Sequence, residues 1–253
     1  MNMTGSLPFR SVRWFRRNLL QNRGPAVPMD VEAAEQIFYI KYLREAMVVF
    51  DVGANVGELT LFFSRFVGQH GQVHAFEASS RTFARLKTVC ESVNRKNITL
   101  YPIALAEKEG IVALHIYDDE HSGWNSLAER PLQNYGIDVR PVGTEQVPAT
   151  TIDRFCQEHG ISRIDLLKID VEGAEYQVLQ GARGMFANKK IQCCVFEFGQ
   201  TTFDMGNQPD EIESYLKLLG YRLRNIVKGD PVFPGRTSVK SAQFSMHIAE
   251  PRT

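Results

Sequence analysis

The sequence carries no net charge. Its 29 Lys and Arg residues are matched by 29 Asp and Glu residues over 253 positions, so it lacks the basic excess with which nucleic-acid-binding domains neutralise phosphates. The balance conceals an asymmetry: Arg10, Arg13, Arg16, Arg17 and Arg23 all precede the first acid, Asp30, which leaves 24 bases against 29 acids in the remainder. No nucleic-acid partner is expected for that mildly acidic body. Long apolar runs are missing too. None approaches the roughly 20 residues of a membrane-spanning helix, and no transmembrane segment is expected. Cysteine is sparse: Cys90, Cys156, Cys193 and Cys194 form no C-x-x-C pair, which argues against a zinc site. A chain of this length needs no disulfides, and a cytoplasmic location is the expectation.

What is present is an ordinary globular composition, 43% hydrophobic, with enough residues to bury a sizeable core in one domain. Residues 1–29 stand apart as an arginine-rich accessory segment and residues 30–253 read as a single domain. Within the first segment, Leu7, Phe9, Val12, Trp14, Phe15, Leu19 and Leu20 outline a short amphipathic helix. It can be read as packing on the domain, as a weak peripheral membrane contact through residues 7–22, or as a targeting segment.

From Asp30 onward, helical and extended periods alternate. A helix capped by Asp30 precedes the buried-strand run MVVFDVG. Then come a helix in GELTLFFSRFV, a strand in QVHAFEA and a helix in SSRTFARLKTVCESVN capped by Ser79 or Ser80. ITLYPIAL, IVALHIY, IDLLKIDV and IQCCVFEF read as strands, GAEYQVLQGA and DEIESYLKLLG as helices, and YRLRNIV with SAQFSMHIAE as a closing hairpin-type pair. Such alternation with continuous apolar strands specifies an α/β fold: a largely parallel sheet covered on both faces. Between Tyr117 and Thr150 the sequence turns polar and reads as a long functional connection.

Chemistry concentrates at three places. In FDVGANVGELT a strand ends in Asp51 and passes through Gly53, Asn55 and Gly57 into a helix, whose first turn offers unpaired N–H groups. A dinucleotide fingerprint needs glycines at 53, 55 and 58; Asn55 and Glu58 stand there instead, and a phosphate-binding G-x-x-x-x-G-K-[ST] loop is absent. Glu77 ends the next strand, where a carboxylate can accept from both ribose hydroxyls. Together these favour an adenosyl ligand without pyrophosphate. In IDLLKIDVEGAE, Lys168 and Asp170 share one strand face, either as a charge pair at a site or as a buried structural pair, and Glu172 and Glu175 follow. Glu197 ends another strand at the same rim.

DVGANVG, FEA and the long segment TTIDRFCQEHGISRIDLLKIDVEGAEYQVLQGA resemble the FkbM-type S-adenosylmethionine-dependent methyltransferases from about Asp30 to His247. The resemblance implies a Rossmann-like class I methyltransferase fold: a mostly parallel seven-stranded sheet, helices on both faces and an antiparallel last strand. It implies S-adenosyl-L-methionine as cofactor and S-adenosyl-L-homocysteine as product. Asp51, Gly53, Ala54, Asn55 and Gly57 would line the methionine part, Glu77 and Ala78 the ribose side, Ala104 the adenine, and Asp170 the transferred methyl. Family members are mostly O-methyltransferases of sugars, glycans or secondary metabolites, which implies a small-molecule or glycan hydroxyl acceptor. Ala78 stands where the family often has Pro.

Methyl transfer to an aliphatic hydroxyl benefits from a base or a metal that takes up the proton. Asp170, Glu172, Glu197 and His121 are the candidate bases, and Asp170 with Glu197 offers two oxygen ligands for a divalent metal, an incomplete shell that leaves metal dependence open. Trp124, inside HSGWNSL, can be read as a sugar platform or as an anchor for its loop. The competing readings are an NAD-dependent oxidoreductase and a non-catalytic adenosyl-binding module.

Overall fold

The computed structural model describes residues 31–252; the arginine-rich segment and its amphipathic stretch lie outside them. The described chain runs α1 (Val31–Tyr42), β1 (Val48–Val52), α2 (Glu58–Val67), β2 (Gln72–Phe76), α3 (Ser80–Ser92), β3 (Ile98–Tyr101), β4 (Ala104–Leu105), β5 (Gly110–Ile116) and β6 (Gly143–Thr150). It continues with α4 (Ile152–His159), β7 (Leu166–Ile169), α5 (Glu175–Gly181), α6 (Arg183–Ala187), β8 (Cys194–Phe198), α7 (Gln200–Asp204), α8 (Pro209–Leu218), β9 (Tyr221–Asn225) and β10 (Ser245–Pro251).

Seven strands form the main sheet in the order β3-β2-β1-β7-β8-β10-β9. Neighbours from β3 to β8 are parallel, and β10 is antiparallel to both β8 and β9, as the sequence led one to expect. The apolar strands are continuous because both faces are covered. Phe50, Val52, Leu167, Ile169, Phe196 and Phe198 point into one core layer, while Val49, Leu166, Val195 and Ile248 pack with Phe63 and Val67 of α2 in the other. Cys193 and Cys194 accordingly fall in opposite layers. The same period of two sends Asp51, Lys168 and Glu197 to the α2 side of the sheet. β2 and β7 flank β1, so the crevice between β1 and β7 is the point where the strand order reverses.

One expectation needs correction. The end of the connection expected between Tyr117 and Thr150 is not a loop: residues 143–150 form β6, which pairs antiparallel with β5 and parallel with β4 in a separate three-stranded sheet. The strand is hard to read because Pro148 interrupts it and Val147 and Ala149 are its only buried residues. Helix α4 also follows a legible local signal: the Thr151 hydroxyl accepts from the Arg154 N–H at 3.0 Å, and Gly160 closes the helix at φ 67. Among the described residues no helix is long and apolar enough to cross a membrane.

Candidate active site

The turn after β1 is tied to both neighbouring strands. The N–H groups of Gly53 and Ala54 donate to the Phe76 carbonyl at 3.0 and 2.9 Å, closing β1 on β2. Gly53 has φ 77, and a Cβ there would sit 1.9 Å from the Asp170 carbonyl oxygen, so what demands a glycine here is the crossing of the β1 and β7 ends. Asn55, also left-handed at φ 49, donates its N–H to Glu77 Oε2 at 2.9 Å, and Ser79 donates to Glu77 Oε1 at 3.0 Å. The two N–H groups orient the Glu77 carboxylate. Burial nevertheless pushes its pKa up to about 7, because desolvation outweighs both backbone donors. Gly57 serves packing: at φ 89, a Cβ would lie 2.7 Å from Leu86 Cδ1 of α3.

Beside the turn, three charged groups share one sheet face. Asp51 and Lys168 are register partners on β1 and β7, and Lys168 Nζ lies 3.5 Å from Asp51 and 3.4 Å from Asp170. It also donates to the Gly53 carbonyl at 3.3 Å, while the Thr60 hydroxyl donates to Asp51 at 2.6 Å. Asp51 is fully buried and belongs to the scaffold beneath the site; Asp170 is 18% exposed. Next to it, Glu175 Oε1 accepts from Val171 and Gly173 N–H groups at 3.0 and 3.2 Å, and burial raises its pKa to about 7.

A cleft opens over these ends. Gly53, Asn55, Glu77, Ala78, Ala104, Asp170 and Glu172 line it, and all seven were singled out from sequence. The structure keeps five others off its walls. Asp51 lies beneath it, and Ala54 and Gly57 pack toward α3. Glu197 is buried under α7, accepting from the Thr201 hydroxyl at 3.4 Å. His121 turns its Nδ1 to Asp118 at 2.7 Å and its ring to Trp124 at 4.7 Å. Trp124 itself is 5% exposed and packs with Tyr117 and Leu132, which makes it a loop anchor.

Ser122, Gly123, Asn125 and Leu127 supply a further wall that sequence reasoning did not resolve into residues. Its signal was the length of the connection alone. The cleft suits an adenosyl ligand: Ala78, Ile103, Ala104, Leu114 and Leu127 make an apolar slot beside Glu77. Buried Asn55 Oδ1 has no hydrogen-bond partner among the described residues, the kind of acceptor that a ligand donor can satisfy. Among the described residues no group of three or more His, Cys, Asp or Glu is placed to hold a metal.

Residues 51–223 match the family model described as the methyltransferase FkbM domain. The 31-O-demethyl-FK506 methyltransferase FkbM of Streptomyces tacrolimicus is 28% identical over 224 residues, covering 76% of this chain and 78% of that protein. The 2-O-methyltransferase NoeI of Sinorhizobium fredii is 28% identical over 142 residues, 54% of this chain and 57% of that one. Among solved structures, methyltransferase FkbM from Methylobacillus flagellatus matches at a TM-score of 0.49 and 14% identity, over 94% of this chain and 59% of the other.

Proposed function

The chain belongs to the FkbM methyltransferase family and is S-adenosylmethionine-dependent, and from that premise we infer that it methylates a hydroxyl oxygen of a sugar, glycan or secondary metabolite. The observation that carries this reading is the convergence of Gly53, Asn55, Glu77, Ala104 and Asp170 on one cleft at the carboxyl ends of β1, β2 and β7. The two curated relatives, whose names specify transfer to oxygen, support it.

Glu77 would accept from the ribose hydroxyls, the apolar slot around Ala104 would take the adenine, and Asn55 Oδ1 with the Gly53 turn would face the methionine part. When bound, S-adenosylmethionine supplies a methyl group on a positively charged sulfur, open to in-line attack by oxygen. Asp170 is the group assigned to receive the acceptor's proton at a carboxylate oxygen, since it lines the cleft and Lys168 at 3.4 Å fixes its orientation. Glu172 faces the same cleft but is engaged by Arg130 at 3.6 Å, and we assign it to holding the turn. Residues 30–253 would act as one catalytic domain with residues 1–29 as an accessory. The four cysteines, all free and buried, suit the reducing cytoplasm.

Calorimetry with S-adenosylmethionine, S-adenosylhomocysteine and NAD tests the cofactor assignment. Micromolar binding of both sulfur ligands, weakened at least tenfold in Glu77→Ala and absent for NAD, is expected. Transfer of labelled methyl from S-adenosylmethionine to a panel of sugar and polyketide alcohols then tests the acceptor class, and a panel in which amines but no alcohols accept label would overturn it.

A further inference from the structure

Residues 117–142, which join β5 to β6, carry their own small core of Tyr117, Trp124 and Leu132, and one buried cation fastens them to the rest of the molecule. The Arg130 side chain is 8% exposed and spans two elements that are remote in sequence. Its Nη1 lies 3.6 Å from Glu172, in the turn after β7, and its Nε 3.4 Å from Asp204, at the end of α7. Its guanidinium also sits 5.9 Å from the Trp124 ring centre. Two further contacts tighten the joint: the Tyr135 hydroxyl donates to Asp204, and the Ser126 hydroxyl donates to the Glu172 carbonyl at 2.8 Å. Glu172 is held in a left-handed conformation, φ 56, two residues beyond Asp170.

We propose that Arg130 is a positioning residue for the cofactor cleft: by joining Glu172 to Asp204 it latches residues 122–127 against the mouth, so that ligand release requires the latch to open. A guanidinium this buried is costly to desolvate unless both carboxylates answer it, so the connection has one well-defined seat in place of many weak ones. Ser122, Gly123, Asn125 and Leu127 line the cleft just before Arg130; unseating the cation therefore withdraws a wall of the binding site. By contrast, Asp119 of the same connection meets Arg81 and Arg85 of α3 at the exposed surface, where pairs contribute little.

The latch rests on the cofactor reading above, and S-adenosylhomocysteine is the probe. Its affinity and dissociation rate are measured by calorimetry and stopped flow on wild type, Arg130→Gln, Arg130→Lys, Tyr135→Phe and the surface control Arg85→Gln, with thermal midpoints alongside. Expected are dissociation roughly tenfold faster in folded Arg130→Gln, recovery to within about threefold in Arg130→Lys, which keeps a charge between the two carboxylates, and no change in Arg85→Gln. Should Arg130→Gln not fold, Tyr135→Phe carries the test with a smaller acceleration in the same direction. Folded variants that release the ligand at the wild-type rate overturn the latch even if their thermal midpoints fall, because a residue that only stabilises the fold moves the midpoint alone. A wild-type protein that does not bind S-adenosylhomocysteine overturns the cofactor reading and this inference together, and the two failures are thus told apart.

Discussion

At the candidate site, Gly53 is held to glycine by both space and backbone conformation. A methyl group there meets a backbone oxygen at 1.9 Å and must also adopt φ 77, so Gly53→Ala should cost at least about 3 kcal/mol of stability. Gly57→Ala meets the movable end of Leu86 at 2.7 Å and should cost about 1–2 kcal/mol, with ligand affinity kept in the folded fraction. Denaturant unfolding of both variants checks the order, and Gly53 is for the same reason a poor site for probing cofactor binding. Glu77 offers a cleaner probe. Its pKa near 7 leaves much of it protonated in mildly acidic buffer, and only the carboxylate can accept from both ribose hydroxyls. S-Adenosylhomocysteine affinity should therefore fall by up to about tenfold per pH unit below about pH 7 and level off above it, with one proton released on binding in acid. Calorimetry in buffers of different ionisation heat reads both, and an affinity flat from about pH 5.5 to about pH 8 counts against the ribose assignment. For Asp170→Asn, which keeps shape and loses the base, methyl transfer should drop by about 10²–10⁴ while S-adenosylhomocysteine binds within a few-fold of wild type. Equal losses of both would return Asp170 to a binding role.

Among the elements, helix ends were easier to read than sheet partners. Ser79 caps α3 through Thr82 N–H, as SSRT announces, and Thr151 caps α4; these signals are local, set within three or four residues. Thr151→Ala should accordingly cost about 1 kcal/mol and leave cofactor binding unchanged, which thermal melts and calorimetry together can verify. β10 shows the opposite case. Its sequence reads as the second arm of a hairpin, and it does pair antiparallel with β9, but its seat against β8 on the other side depends on distant partners. His247 is fully buried there, its Nε2 accepting from the Phe233 N–H at 2.9 Å across the connection from β9. No local pattern in SAQFSMHIAE encodes that bond. The long connection after β5 hid β6 for a similar reason, since GTEQVPAT becomes a strand only when β5 presents its edge.

At the scale of the whole molecule, buried titrating groups set how stability follows pH. Glu77 and Glu175 are both raised to about 7 by burial. The folded state thus keeps protons that the unfolded chain releases above about pH 4.5, and this stabilisation is full below that pH and lost as pH rises through about 7. His247 and His74 run the other way: burial lowers them to about 3 and about 4. Their stabilisation is present above the ordinary histidine value of about 6.5 and lost as pH falls toward those lower values. Between about pH 4.5 and about pH 6.5 the two pairs oppose each other, so the thermal midpoint should change little there and fall below about pH 4.5. A midpoint that dropped steadily from about pH 6.5 to about pH 4.5 would mean that the carboxylates are ionised in the folded protein.

The sequence by itself determined the alternation of strands and helices, the parallel core strands and the acids and glycines at their carboxyl ends, because periodicity and caps are written within a few residues. It also located Lys168 beside Asp170, since a strand's period of two leaves no other choice. Only the tertiary structure decided which of these residues meet the cleft. Glu197 and His121 are candidates in the sequence as Glu77 is, yet one is covered by α7 and the other is turned toward Asp118. Arg130, unremarked in sequence, becomes the cation between two carboxylates 42 and 74 residues away. Those contacts depend on where a long connection settles, and chain entropy lets a local pattern say little about that until the packed partners are in place.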